Sequence, residues 1–343
     1  MENYLQWLSG KTTTAWWHDS ADPDELRQGL EHGATGVTTN PVLAASALEE
    51  HPQKWRELLS GIPAGLPAGE RAEYLLRNVT VNAARMFEPV HSLTKGETGY
   101  VCAQVNPSKA GDREIMHEQA KRFCKWAPNI AVKLPATAAG LDVLEECISQ
   151  GITITATVSF TVAQVMEIGK RYVRGKNRAE SAGIKPGLCF PVIMIGRIDD
   201  YLREVSRDNN ASATESDIRQ AGLAVTKRAY RLCMEKGYGL LLIIAALRGT
   251  YHMSDLAGGK LIMSIHPKIQ RMILSEEMER LQDKIDTLVP EPVIERLLSL
   301  PEFVKAYQPD GLKTEEFISY GVTQRTLSQF ISSGWGKLEA VKK

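Results

Sequence analysis

The amino-acid sequence predicts an α/β fold, a (β/α)8 TIM barrel with additional C-terminal helices. Eight short, apolar, β-rich segments alternate with helical patterns along the chain, and eight parallel strands close such a barrel. Polar residues recur where these segments end, which is where barrel enzymes place their active sites. We interpret the 343 residues as one domain, with the barrel at about 13–266 and a helical extension at about 267–343.

The strand candidates are short apolar runs, separated by turn residues and helical patterns. In chain order they are Thr13–Asp19, Ala34–Asn40, Tyr100–Asn106, Ile130–Ala136, Ile152–Ser159, Leu188–Gly196, Leu240–Arg248 and Lys260–His266. About sixty residues separate the second candidate from the third, and GIPAGLPAGE (61–70) indicates a loop within this otherwise helical stretch.

Helix candidates fill the intervals between the strands. Pro23–His32 has acidic residues in its first turn and ends at Gly33, which are the usual start and stop signals of a helix. The other candidates are Asp112–Trp126, Ala138–Gln150, Val162–Gly175 and Thr214–Lys236 in the barrel, and Lys268–Leu288, Glu291–Ser299 and Thr323–Ser332 in the extension.

Composition excludes several classes of protein. The chain has 41 Lys and Arg against 41 Asp and Glu, so its formal net charge is zero, which argues against a nucleic-acid partner. No apolar run reaches the 18 residues typical of a membrane span, and the first residues do not resemble a signal peptide. Five widely spaced cysteines favour reduced thiols over a disulfide scaffold. These features predict a cytoplasmic protein with no membrane partner.

Known cofactor motifs are missing from the sequence. The glycine-rich turns match neither a dinucleotide-binding nor a Walker pattern. The seven histidines, among them His18, His252 and His266, show no metal-ligand spacing and are interpreted as ordinary polar residues. We therefore expect neither a metal nor a cofactor.

Polar residues cluster near the ends of the strand candidates and share a face within each strand, because alternate residues of a strand point the same way. Convergent polar groups of this kind are the expected form of a barrel active site. The residues concerned are Asp19, Thr38, Asn40, Gln104, Asn106, Lys133, Thr155, Thr157, Ser159 and Arg248, and Arg197 likewise follows an apolar strand.

Lys133 gives the sharpest chemical signal. Lysine is rarely buried, and the surrounding Ala, Val, Leu and Pro side chains would desolvate its ammonium and favour the neutral amine. A neutral amine can attack a carbonyl and form a Schiff base. Two alternatives stay open: the side chain reaches solvent at the strand end, or it pairs structurally with Asp19.

Asp19 is a candidate for acid/base chemistry, or else a cap for the following helix. Asp22 is the better-placed N-cap because Pro23 suits the first helical position. Arg197 and Arg248 have the planar fork that suits phosphate or carboxylate recognition, although either could form a surface salt bridge instead.

Four motifs together resemble the transaldolase family. They are GVTTNP (36–41), AVKLPATAAGL (131–141), GITITATVSFTVAQV (151–165) and IGRID (195–199), in the family's order and approximate spacing. The resemblance covers about residues 13–266 and is strongest around Lys133. It implies metal-free, class I transfer of a dihydroxyacetone unit from a ketose phosphate, such as fructose 6-phosphate or sedoheptulose 7-phosphate, to an aldose phosphate. The implied setting is carbohydrate metabolism of the pentose phosphate type.

The resemblance also implies residue roles. Lys133 falls on the Schiff-base lysine and Asp19 on the aspartate that transfers protons. Thr38 and Asn40 match the T-T-N run, whose Asn holds a donor hydroxyl, and Thr157 matches a threonine that orders a catalytic water. The implied phosphate ligands are Arg197 and Arg248, and Asn106 and Ser159 are further candidates for holding substrate hydroxyls.

Three positions depart from the family pattern. Gln104 stands where a glutamate is common, although related fructose-6-phosphate aldolases also have an amide there, and an amide cannot take a proton from water. Thr155 replaces an Asn expected to touch the dihydroxyacetone unit, and Val192 replaces a phosphate-binding serine. These departures favour an alternative, a class I aldolase or an enzyme for a sulfonated or unphosphorylated ketose.

A third, different interpretation is a non-catalytic barrel that acts as a binding or scaffold protein. The presence of Lys133, Asp19, Asn40 and both arginines together argues against it. Proteins that resemble transaldolases commonly form dimers or larger rings, so the resemblance also implies a homo-oligomer.

Overall fold

The computed structural model describes residues 2–208, 211–281 and 283–342. Eight parallel strands form a closed barrel in sequence order, with the last strand paired to the first. The predicted (β/α)8 barrel with C-terminal helices is therefore confirmed. The strands are β1 (Ala15–His18), β2 (Gly36–Val37), β3 (Tyr100–Gln104), β4 (Ile130–Pro135), β5 (Ile154–Thr157), β6 (Cys189–Met194), β7 (Ile243–Ala245) and β8 (Ile262–Ile265).

Helices surround the barrel and continue into the C-terminal extension. They are α1 (Tyr4–Lys11), α2 (Pro23–Glu31), α3 (Pro41–Glu50), α4 (Arg56–Ser60), α5 (Ala68–Leu93), α6 (Arg113–Phe123), α7 (Ala138–Ser149), α8 (Val162–Ser181), α9 (Ile195–Asp208), α10 (Glu215–Lys236), α11 (Thr250–Ser254), α12 (Pro267–Ser275), α13 (Glu291–Leu298), α14 (Pro301–Tyr307), α15 (Gly321–Phe330) and α16 (Gly336–Ala340). Short 3₁₀ turns lie at Pro52–Trp55, Pro107–Lys109, Lys284–Asp286 and Thr314–Glu316, and a π-helical turn at Ile331–Trp335. In the part of the chain that the structure describes, no helix is long and apolar enough to span a bilayer.

Aromatic rings fill the interior of the barrel below the strand ends. Trp17 of β1 contacts Phe190 of β6 edge-on with the ring centroids 5.1 Å apart, and Phe190 contacts Tyr100 of β3 at a centroid distance of 5.6 Å. Since these strands are not neighbours in the sheet, the contacts cross the inside of the barrel. A side chain at Gly36 would place its Cβ 2.5 Å from the Trp17 ring, so the neighbouring strand needs glycine there. Trp17 and Phe190 therefore point into the barrel, as do the residues two positions away from them on the same strands.

The long segment between β2 and β3 supplies the helix that covers β3. The loop predicted at 61–70 is shorter in the structure and covers residues 61–67, because α5 already begins at Ala68. α5 then runs for 26 residues with one face buried against β3 and α2. A helical stretch interrupted by a loop is thus confirmed. Its length reflects two extra helices, α3 and α4, which precede the covering helix.

The helical extension packs on the barrel's own helices. α13 and α14 contact α10, α15 contacts α9, and α16 contacts α5. The predicted helix Lys268–Leu288 is wrong in extent, because α12 ends at Ser275. Two glutamates follow at positions 276 and 277, and negative charge at a helix C-terminus is unfavourable. Residue 282 of that predicted helix lies outside the described residues.

A buried histidine links β1 to the extension. His18 is 1% exposed, and its Nδ1 accepts a hydrogen bond from the Gln270 side chain of α12 at 2.9 Å. The His18 ring packs against Gly29 of α2, where a Cβ atom would lie only 2.8 Å from Nδ1. Burial, aided by nearby His266, lowers the pKa of His18 from the ordinary 6.5 to about 4. The folded protein therefore holds this imidazole neutral.

Folding stability is expected to fall as the pH drops from 6.5 towards 4. In this window the unfolded chain binds a proton at His18 more readily than the folded chain, so each decrease in pH favours unfolding. The full effect is about 3 kcal/mol. Urea unfolding at pH 7 and at pH 4.5 measures it.

The control is His18→Asn, whose amide oxygen can still accept the Gln270 hydrogen bond but which does not titrate. We expect the free energy of unfolding of this variant to depend less steeply on pH than that of the wild type. Parallel profiles for the two proteins would show that His18 is not responsible.

Candidate active site

Three polar side chains lie side by side on adjacent strands. In the barrel register, Gln104 of β3 pairs with Lys133 of β4, and Lys133 pairs with Thr155 of β5. The Cys102 thiol, on the same face of β3 as Gln104, contacts the Thr155 hydroxyl at 3.4 Å. Because β3 and β5 flank β4 rather than pair with each other, this contact passes through the interior. The face that includes Lys133 therefore points into the barrel.

Lys133 is 5% exposed, so the alternative in which it reaches solvent is wrong. Among the residues the structure describes, none forms an ion pair with it within 4.0 Å, and structural pairing with Asp19 is also wrong. The lysine and Asp19 still share a neighbourhood, since both act electrostatically on the Cys102 thiol. Burial raises the pKa of that thiol, which keeps it protonated. The site thus contains one buried amine with a carboxylate nearby.

Asp19 follows β1, and its Oδ1 accepts a hydrogen bond from the Thr38 hydroxyl at 2.9 Å. Thr38 also contacts the hydroxyl of Ser264 on β8, which sequence analysis did not single out. The cap of α2 is Asp22, whose side chain accepts from the backbone N–H groups of residues 24 and 25. Asp19 is therefore not used as the helix cap and faces the site.

At the ends of β3 and β5, two buried side-chain oxygens have no hydrogen-bond partner among the described residues. They are Oε1 of Gln104 and Oγ1 of Thr157, and both residues are at most 2% exposed. Buried polar atoms are nearly always satisfied, so an unpartnered pair at a strand end points to water or ligand. This arrangement suits the expected water-ordering role of these two residues.

Four other predicted residues already make hydrogen bonds within the protein. The Asn40 side chain caps α3 by accepting from the N–H groups of residues 42 and 43. Asn106 caps the following 3₁₀ turn, and Ser159 donates to the Val192 carbonyl. The Thr155 hydroxyl is paired with a thiol, as described above. Each of these groups keeps only part of its hydrogen-bonding capacity for a ligand.

A cavity of about 470 Å³ opens above the strand ends. Its lining comes from the ends of β1, β2, β6, β7 and β8 and from the extension. The lining residues are Asp19, Asn40, Val42, Leu43, Arg197, Ala246, Leu247, Arg248, Ser264, His266, Lys268, Ile269, Met272 and Phe330. Lys133 does not line this cavity. Of the predicted catalytic residues, Asp19 lines it and therefore connects the cavity with the interior of the barrel.

The first cationic group of the cavity, Arg197, lies in the first turn of α9. One terminal nitrogen donates to the Gln329 side chain at 2.6 Å, and the guanidinium lies over the Phe330 ring at 5.4 Å. Its Nε is buried and unpartnered. Burial and the neighbouring Arg248 lower the pKa of Arg197 to about 10, which still leaves it charged at neutral pH. The extension thus supports a cavity arginine, a contact that sequence analysis did not predict.

The second arginine, Arg248, follows β7. Its Nε and one terminal nitrogen both donate to Asp200 Oδ2, at 2.9 and 2.7 Å, and the other terminal nitrogen donates to the Ala246 carbonyl at 2.9 Å. Ala246 has φ of 59°, in the left-handed region. The nitrogen that binds the Ala246 carbonyl also donates to the Leu247 carbonyl at 3.5 Å, so one hydrogen of the other terminal nitrogen is left to bind an anion. The salt-bridge alternative for this arginine is therefore present, while the side chain also lines the cavity.

Gln164 on α8 holds the end of β5 in place. Val158 has φ of 54°, which is unusual for a β-branched residue. The Gln164 amide donates to the Val158 carbonyl at 3.1 Å and to the Ala136 carbonyl at 3.2 Å, and its oxygen accepts from the Phe160 N–H at 2.9 Å. The glutamine thus joins the ends of β4 and β5, on which Lys133 and Thr157 lie. Its position in the SFTVAQ motif was the available sequence signal.

Two larger cavities lie elsewhere. One of about 890 Å³ is at the amino-terminal ends of strands β3 to β6, and one of about 680 Å³ lies between α5 and α6. Neither includes a predicted site residue, and barrel active sites lie at the carboxyl-terminal ends of strands. Within the described ranges, no group of three or more His, Cys, Asp or Glu side chains is placed to hold a metal ion.

The sequence is similar to a known protein family and to several known proteins. Residues 16–317 match the family model described as transaldolase/fructose-6-phosphate aldolase. A transaldolase of Thiobacillus denitrificans is 28% identical over 68% of this chain and 68% of its own length. Transaldolase 1 of Streptomyces avermitilis is 32% identical over 66% of this chain and 62% of its own length, and Transaldolase 2 of a Nostoc species is 29% identical over 53% and 51%. The chain therefore spans between about half and two thirds of the length of these relatives.

Replacement of Gln164 by leucine is expected to lower the free energy of unfolding by roughly 3 kcal/mol, because three buried backbone groups lose their partner. Urea denaturation measures the change. The matched control is Gln150→Leu at the exposed end of α7, which should change stability by no more than about 0.5 kcal/mol. Equal effects at the two positions would contradict the role given to Gln164.

Proposed function

Because the chain belongs to the transaldolase/fructose-6-phosphate aldolase family, we propose that it transfers a dihydroxyacetone unit from a ketose phosphate to an aldose phosphate through a Schiff base on Lys133. One observation supports this function above the others. A lysine 5% exposed, without an ionic partner among the described residues, faces the barrel interior near Asp19, which lines a cavity with two arginines. A buried amine of this kind is poised for covalent chemistry rather than for structure.

The first half of the reaction uses Lys133 and Asp19. The neutral amine attacks the C2 carbonyl of the ketose to give a carbinolamine, which loses water to form an iminium ion. Asp19 then removes the proton of the C4 hydroxyl, and the C3–C4 bond breaks with its electron pair drawn into the iminium. The aldose leaves, and a dihydroxyacetone enamine stays bound to Lys133. The Thr38 hydroxyl bond to Oδ1 of Asp19 leaves Oδ2 for this proton.

The second half reverses these steps with a different aldehyde. The enamine carbon attacks the acceptor carbonyl, Asp19 returns its proton to the new hydroxyl, and water hydrolyses the iminium to release the product ketose. Gln104 and Thr157 are proposed to hold the water that adds and leaves, and the unpartnered atoms of both support that role. Asn40, Asn106, Thr155 and Ser159 are proposed to orient the hydroxyls of the bound unit.

Arg197 and Arg248 are proposed to bind the substrate phosphate at the cavity mouth. Val192 lies on the same inward face of β6 as Phe190, and Ala246 lines the cavity. Because valine and alanine have no hydroxyl, neither position offers a side-chain donor to the phosphate. The anion would then depend on the two arginines more than on neutral donors. We propose further that the chain is one domain, acts in the cytoplasm without a cofactor and forms a homo-oligomer.

Borohydride reduction in the presence of fructose 6-phosphate should attach the substrate to Lys133, since reduction traps the iminium as a stable amine. Peptide mass mapping identifies the modified residue. Lys133→Met should abolish both the adduct and turnover. The control is Lys185→Met at an exposed position before β6, which should retain both. An adduct on the Lys133→Met protein would contradict the proposal.

A class I aldolase is the second candidate, and Gln104 is the observation that favours it. An amide can orient a water but cannot accept its proton, which weakens a water-based relay at this position. Phe330 and the apolar side chains of the cavity, in contrast, are proposed to limit the access of water to an enamine, which would favour transfer.

Release of free dihydroxyacetone from fructose 6-phosphate, with and without an added aldose phosphate, distinguishes these two functions. We expect release without acceptor to be at least about tenfold slower than transfer with acceptor, since transfer needs no protonation of the enamine. Release that is equally fast without acceptor would identify an aldolase. Fructose, which lacks the phosphate, serves as the comparison substrate for an unphosphorylated ketose.

A further inference from the structure

A fully buried His–Asp pair lies behind the cavity. His252 on α11 and Asp199 on α9 are both 0% exposed, and Nε2 of the histidine lies 3.0 Å from Oδ2 of the aspartate. The Tyr251 ring packs on the imidazole at a centroid distance of 4.2 Å. Burial raises the pKa of Asp199, and the hydrogen bond to His252 opposes that shift. Neither residue has a role in the chemistry described above.

The hydrogen bonds around the pair define the tautomer of the histidine. The backbone N–H of Arg248 donates to His252 Nδ1 at 3.2 Å, so Nδ1 has no proton. The proton is therefore on Nε2, which donates to Asp199. The other oxygen of Asp199 accepts from the backbone N–H of Gly222 at 2.7 Å. A Cβ on Gly222 would lie 2.8 Å from that oxygen, so the close approach of α10 requires glycine.

Two other residues of α9, Asp200 and Gly196, also lie against Arg248. Asp200 binds its guanidinium, as described above. Gly196 gives it room, because a Cβ there would lie 2.5 Å from Cγ of Arg248 and 2.2 Å from the Ala246 carbonyl oxygen. Gly196, Asp199 and Asp200 of α9 therefore constrain both the backbone and the side chain of Arg248, the Asp199 contact acting through His252.

We propose that the Asp199–His252 pair positions Arg248 and thereby sets the preference of the cavity for phosphorylated substrates. This inference rests on the proposed function, in which the two arginines bind the phosphate. Arg248 lies in a turn that begins at the strained residue Ala246, so its direction depends on external support. His252 supplies that support through a direct bond to the Arg248 amide. Neither Asp199 nor His252 lines the cavity, so both are positioning residues.

The variant that tests the pair is Asp199→Asn, which preserves the shape of the side chain. Asp199 accepts from two donors, the Gly222 N–H and His252 Nε2, whereas asparagine has a single acceptor oxygen. If the amide oxygen keeps the Gly222 bond, its NH2 faces His252, and the histidine must move its proton to Nδ1. That proton would then oppose the N–H of Arg248. We expect the KM for fructose 6-phosphate to rise by roughly tenfold or more with kcat changed less than about twofold, since a small displacement of a binding group weakens binding. The KM for fructose should not change.

Arg248→Ala provides the reference for this effect. Adding Asp199→Asn to Arg248→Ala should not raise the KM for fructose 6-phosphate further, because the pair would act only through the arginine. His252→Asn, whose amide oxygen can replace Nδ1 as the acceptor for the Arg248 N–H, should keep the KM closer to the wild-type value than His252→Leu does.

Nitrogen-15 NMR of histidine-labelled protein reports the tautomer without any assay of activity. We expect the Nε2–H form of His252 in the wild type and the Nδ1–H form in Asp199→Asn. An unchanged tautomer, an equal loss of kcat for both substrates or an additive effect in the Arg248→Ala protein would overturn the inference. Failure of the proposed function would appear separately, as wild-type protein that forms no borohydride adduct on Lys133.

Discussion

The register of the closed parallel barrel is the constraint on which the site depends. It sets Gln104, Lys133 and Thr155 at one level on three neighbouring strands, with all three side chains directed inward. Closure removes the lysine from bulk water, and its two register partners, Gln104 and Thr155, are neutral. The inward position of the amine is thus a consequence of backbone pairing, because a slip of one residue would turn Lys133 towards the outer helices.

Polar side chains outside the interior hold the strand ends in strained conformations. Val158 after β5 and Ala246 after β7 both have positive φ, and such strain persists only where the surroundings enforce it. Gln164 binds the carbonyl of the first, and the Arg248 side chain binds the carbonyl of the second. Both turns bear site residues, so the strain is located where side-chain direction matters most.

The sequence was sufficient to predict the barrel and the inward-facing residues, because strand alternation and strand-end position are local properties. The burial of Lys133 could be predicted from its apolar neighbours, and the capping role of Asp22 from the proline after it. The support of Arg197 by Gln329 could not, since 132 residues separate the pair and no local pattern links them. The bond of His252 to Asp199 was missed for the same reason. The roles of the site residues in catalysis stay predictions.

The contact between Arg197 and the extension has a consequence for the chain as a whole. Gln329 and Phe330 lie in the last fifteen residues, yet they touch a cation at the mouth of the barrel. Binding equilibria are reciprocal, so an anion that fixes this arginine would also favour the docked state of the terminal helices. Docking of the helix that contains Gln329 and Phe330 would then be coupled to the occupancy of the cavity.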